Sequence, residues 1–93
     1  MKERCATITI GGQEFELLLT TRAIKEIAAR YGGLENLGEK LMQSESFEMA
    51  LDEIVWLITL LANQPILIHN LRDPDKRALL TTEVVELLTS PYD

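Results

Sequence analysis

Cys5-Ala6-Thr7-Ile8-Thr9-Ile10-Gly11-Gly12-Gln13-Glu14-Phe15-Glu16-Leu17-Leu18 sets two alternating runs on either side of a glycine pair. A two-residue hairpin loop needs positive φ at both central positions, which glycine adopts without a Cβ penalty, so the pair predicts a β-hairpin over about 4–19. Taken literally, that loop pairs Ile10 with Gln13, Ile8 with Phe15, Ala6 with Leu17 and Arg4 with Leu19 on one mostly apolar face. The other face pairs Thr9 with Glu14, Thr7 with Glu16 and Cys5 with Leu18, and a slip of one residue would scramble the separation. A lone two-stranded ribbon is marginal in water, so the Ile8, Phe15 and Leu17 face needs cover from the rest of the chain.

Beyond Leu19 the pattern turns helical. Thr20 and Thr21 are good N-caps, and Ala23, Ile24, Ile27, Ala28 and Tyr31 share one side of a helix that Gly32-Gly33 stops. Glu26 and Arg30, four apart, read as an exposed pair contributing about 0.2–0.5 kcal/mol. Leu34, Leu37 and Leu41 predict a short second helix over 34–42, weakened by Gly38. Ser44 or Ser46 then caps a longer helix to about Asn63, whose main face is Phe47, Ala50, Leu51, Ile54, Leu57, Ile58 and Leu61. This reads as the core helix, with Pro65 kinking or restarting the chain into another short helix through Ile66, Leu67, Ile68 and Leu71. Asp73-Pro74-Asp75-Lys76 is a turn or a cap, and Thr81 or Thr82 opens a final helix over 83–88 that ends near Ser90-Pro91. The expected fold is α+β: an N-terminal hairpin packed on a small bundle of about four to five helices, in a single domain over 1–93 with its helical part at about 21–90.

The 93 residues allow one compact domain that buries roughly 64% of its unfolded surface. Nine Lys and Arg stand against 15 Asp and Glu, a net charge of −6 that repels phosphate backbones and anionic headgroups. Neither nucleic acid nor a membrane surface is an expected partner. One cysteine, Cys5, makes no internal disulfide, and the start of the chain lacks the apolar run of a secretory signal, so the cytoplasm is the expected location. The longest strongly apolar stretch, Ile54 to Ala62, is shorter than the roughly 20 residues of a membrane helix.

Chemistry is sparse. One histidine, His69, gives no paired-histidine metal site, and its place beside Asn70 reads as a solvated or capping residue. Cys5 lacks the positive surroundings of an activated thiol, and Asp73 with Asp75 lacks the ligand spacing of a calcium loop. Gly33 to Lys40 imitates a phosphate loop but offers Glu39-Lys40 where Lys-Ser/Thr is required. No catalytic residue, cofactor or metal is expected, and the chain reads as a non-enzyme. What stands out is apolar surplus, 46% of residues in a small chain. Met49, Trp56 and Leu60 form a second stripe on the long helix, away from its main face, and are the candidate partner-binding residues; cover by other elements of the same domain is the competing reading.

The order of phrases carries a resemblance: a Thr-rich hairpin with a Gly-Gly turn; Leu19-Thr20-Thr21-Arg22-Ala23-Ile24-Lys25-Glu26-Ile27; Tyr31-Gly32-Gly33-Leu34-Glu35-Asn36-Leu37; the helix Ala50 to Ile58; the Ala62-Asn63-Gln64 break; and Leu80 to Leu88. Over nearly its whole length the chain resembles the small tail assembly chaperones of long-tailed bacteriophages and prophages. Pro65 departs from the pattern, since a residue more permissive of helix is expected there. The resemblance implies a protein that binds the long, apolar, helical tape-measure protein, keeps it soluble, helps recruit tail-tube protein, and is absent from the finished virion. It also implies that a longer frameshifted product often accompanies the short one. The readings from other classes are a small self-associating structural module, connector-like, or a regulatory homo-oligomer.

Overall fold

The computed structural model describes residues 5–33 and 47–89. Within them run strands β1 (Cys5–Ile10) and β2 (Gln13–Leu18) and helices α1 (Thr21–Tyr31), α2 (Phe47–Arg72) and α3 (Thr82–Leu88). The α+β architecture is as expected, with three helices among the described residues rather than four to five. The helix expected over 34–42 and the phosphate-loop imitation beyond Gly33 lie outside the described residues.

The hairpin has the register that the glycine pair demands, antiparallel from Ile10 opposite Gln13 to Cys5 opposite Leu18. Gly11 and Gly12 both hold positive φ, 61° and 81°. Gly11 has a second duty, because its N–H donates to the Leu88 carbonyl at 3.2 Å and ties the turn to the end of α3. Ile10 is buried and Ile8, Phe15 and Leu17 are half-buried, while Thr7, Thr9, Glu14 and Glu16 face solvent. The ribbon finds its cover in α2, along which β2 lies.

Both short helices carry threonine caps. Thr20 Oγ1 accepts from the Ala23 amide at 3.1 Å, and Thr81 Oγ1 accepts from the Val84 amide at 3.2 Å. Gly32, at φ 84°, closes α1 by donating to the Ala28 carbonyl at 2.7 Å.

α2 corrects the expected break at Asn63 to Pro65: one helix of 26 residues runs through the proline. Proline lacks the N–H that would reach the Leu61 carbonyl. Gln64 Nε2 adds a bond to the neighbouring Leu60 carbonyl at 3.0 Å without replacing the donor missing at Leu61, and contacts with β2 and α3 hold the helix together across the proline. The length argument against a membrane span falls with the break. Ala50–Arg72 is long and apolar enough to cross a membrane by length and composition, with a mean hydropathy of 1.4 over its most apolar window and 22% of that window buried.

After α2 the chain doubles back, and two asparagines stitch it down. Asn63 bonds both polar backbone groups of Leu80, Nδ2 to the carbonyl at 2.9 Å and Oδ1 from the amide at 2.8 Å. Asn70 does the same to Arg77, at 3.0 Å and 2.8 Å. Two helical turns advance about 10.5 Å and three extended residues about 10 Å, so side chains seven apart on α2 match backbone three apart on the returning chain. His69 Nε2 meets the Asp75 carbonyl at 2.8 Å, and Asp73 Oδ1 accepts from the Asp75 amide at 2.8 Å. His69, read as solvated or capping, is thus half-buried and clamps this loop.

The described core is small: Ile10, Ala23, Ile27, Ala62 and Val85. On α2 the buried positions are Thr59, Ala62 and Gln64, none of them on the face expected to be the core, where Ile54 is 40% exposed. The rest of that face, Ala50, Leu51, Leu57, Ile58 and Leu61, is half-buried, as are Trp56 and Leu60. α1 and the returning chain pack on the other side, because Asn63, Gln64 and Glu53 find their polar partners there.

Candidate functional site

The three candidate residues fall on α2. The Met49 side chain lies outside the described part, whereas Trp56 and Leu60 are half-buried and line one cleft. Because α2 is continuous, their stripe extends at helical spacing to Leu67 and Leu71, and Leu71 is 86% exposed. Reading a break at Pro65 hid these two residues. The signal for them was present in the spacing 56, 60, 67, 71.

α1 covers part of the stripe. Arg30 does not serve as the solvated partner of Glu26 that the sequence implied: its Nε pairs with Glu53 Oε1 of α2 at 3.3 Å. The Arg30 guanidinium lies over the Trp56 ring, 4.4 Å from its centroid, and 5.7 Å from that of Tyr31. Trp56 draws it because the negative face of an indole attracts a cation. Tyr31 meets Trp56 edge to face, with centroids 5.9 Å apart and an interplanar angle of 81°, and its hydroxyl donates to Glu53. Burial, followed by that bond to Glu53, raises the Tyr31 pKa above its ordinary value. Burial alone would lower the Arg30 pKa, but bonds to Tyr31 and Glu53 outweigh it and raise the value.

At the other end of α1, Thr20 Oγ1 donates to Gln64 Oε1 at 2.5 Å while accepting from the Ala23 amide. Between the two ends lies a cleft of about 370 Å³ lined by Trp56, Thr59, Leu60, Asn63, Gln64 and Leu67, with Arg22 and Glu26 above and Leu79 and Thr82 opposite. A second cleft of about 340 Å³ continues past Gln64 between Arg22, Leu67, Ile68 and Leu71. The polar groups on the floor are committed elsewhere: Thr59 Oγ1 donates to the Val55 carbonyl at 2.7 Å, Asn63 bonds Leu80, and Gln64 bonds Thr20 and Leu60. Beside the charged Arg22 and Glu26, what the clefts offer is the apolar surface of Trp56, Leu60, Leu67 and Leu71.

Among the described residues no group of three or more His, Cys, Asp or Glu is placed to hold a metal. Comparison with protein-family models, with curated proteins and with solved structures returns no match.

Proposed function

We propose that this chain is a non-enzymatic tail assembly chaperone of a phage or prophage, working in the host cytoplasm, which holds an apolar helix of the tape-measure protein and passes the assembly on to tail-tube subunits. The observation that supports it is the stripe Trp56, Leu60, Leu67 and Leu71, an apolar track with clefts beside it and its last leucine 86% exposed. A helix laid against such a track buries its own apolar positions at i, i+4 and i+7. The net charge of −6 keeps the complex soluble while the stripe is occupied.

The test is a tagged pull-down from cells expressing the protein with its native neighbouring genes, washed at high salt to screen ionic contacts and spare apolar ones. Recovery of a very long helical protein is expected, falling at least about tenfold for a folded Trp56→Ala plus Leu60→Ala variant, as loss of a central aromatic anchor implies. Unchanged retention by that variant removes the stripe from the interface. Recovery of the chain alone overturns the reading in favour of a self-associating structural or regulatory module.

A further inference from the structure

α1 rests on α2 through two polar clips with a cleft between them. At its start stands the Thr20–Gln64 bond, and at its end the Arg30, Tyr31, Glu53 and Trp56 cluster. Along the helix only Ala23 and Ile27 are buried; Arg22, Ile24, Lys25, Glu26, Ala29 and Arg30 are exposed. The space beneath Arg22 and Glu26 is the 370 Å³ cleft over Trp56, Leu60 and Leu67. Meanwhile β2 lies along α2 and α3 is tied to the hairpin turn by the Gly11–Leu88 bond, so neither depends on α1 for its seat.

We propose that α1 is a detachable cover over the Trp56, Leu60 and Leu67 stripe, held by a polar clip at each end and opening as a unit while the hairpin, α2 and α3 stay packed. Opening also has to expose Ala23 and Ile27, two of the five buried apolar residues, while Ile10, Ala62 and Val85 belong to the elements that stay packed; a partial opening of this kind costs less free energy than unfolding the whole. Opening lifts Arg30 and Tyr31 off Trp56 and turns two separate clefts into one continuous apolar track. The use of that track rests on the partner-binding reading; the opening itself is a property of the free chain.

Hydrogen exchange resolved by segment, on the isolated protein under native conditions, tests it. In the wild type, amides of α1 exchange at least about tenfold faster than those in the middle of α2, with a denaturant dependence smaller than that of α2 but above zero, since opening exposes Ala23, Ile27 and Trp56. Glu53→Gln keeps the shape and removes the charge from the second clip, and Arg30→Ala removes its cation while leaving the Tyr31 contacts with Glu53 and Trp56. Each speeds α1 exchange by a further factor of about ten and leaves α2 and the hairpin unchanged. Equal rates and equal denaturant dependence in α1 and α2 of the wild type overturn the proposal, as does a variant that speeds both helices alike. Because no partner is present, that failure leaves the chaperone reading standing, and an empty pull-down leaves the cover standing.

Discussion

Gly11 and Gly12 look alike in the sequence, and the fold uses them differently. Both sit at positive φ, which costs an alanine roughly 1–2 kcal/mol. A Cβ at Gly12 would meet nothing within 4 Å, whereas one at Gly11 would stand 2.8 Å from Leu88 Cδ1 and 3.5 Å from Leu88 Cβ. The Leu88 side chain, half exposed, has to turn away from its preferred rotamer to make room, because its backbone is held by the bond from the Gly11 amide. Gly12→Ala is therefore expected to cost about 1 kcal/mol by urea denaturation and Gly11→Ala about 1 kcal/mol more. Equal losses would mean that α3 does not hold the turn. The need for glycine was legible from the loop; the close approach of Leu88, 77 positions away, was not, because no local pattern encodes which distant side chain meets a turn.

Element by element, legibility followed how local the decisive force is. The hairpin register and the threonine caps at Thr20 and Thr81 came through because each is fixed within a few residues of chain. α2 was cut short because the cost of a helical proline is also local, while the packing that outweighs it is not. Asn63 and Asn70 carried the missing clue, two amides seven apart in an apolar run, and each bonds the returning chain. The proline still exacts its cost in the fold. Pro65→Ala restores a donor for Leu61 and removes a ring clash worth up to about 3 kcal/mol, against lost packing beside the hairpin and about 0.4–1 kcal/mol from a freer unfolded chain. A net gain of about 1 kcal/mol is expected in thermal unfolding followed by circular dichroism. A loss would show that the Pro65 ring, beside Phe15 and Ile66, serves the hairpin contact more than it harms the helix.

Across the molecule, the described residues leave several large apolar side chains in water. Its long axis is 44 Å, close to the roughly 39 Å of α2 alone. Leu71 and Leu87, 86% and 75% exposed, are the two extremes among those side chains, and they separate site from background. Leu71 continues the stripe of Trp56, Leu60 and Leu67, whereas Leu87 stands on the outer side of α3, whose Val85 faces the core. Neither side chain contributes much to folding, so Leu71→Ser and Leu87→Ser should each leave stability within about 0.5 kcal/mol of the parent. Their effects on partner retention should differ, because a leucine at the open end of an apolar track is desolvated by an incoming helix and one off the track is not. Retention of the long helical partner is expected to fall several-fold for Leu71→Ser and to hold for Leu87→Ser. The reverse result would move the binding face from α2 to α3, and equal losses would mean that general stickiness, rather than the stripe, retains the partner.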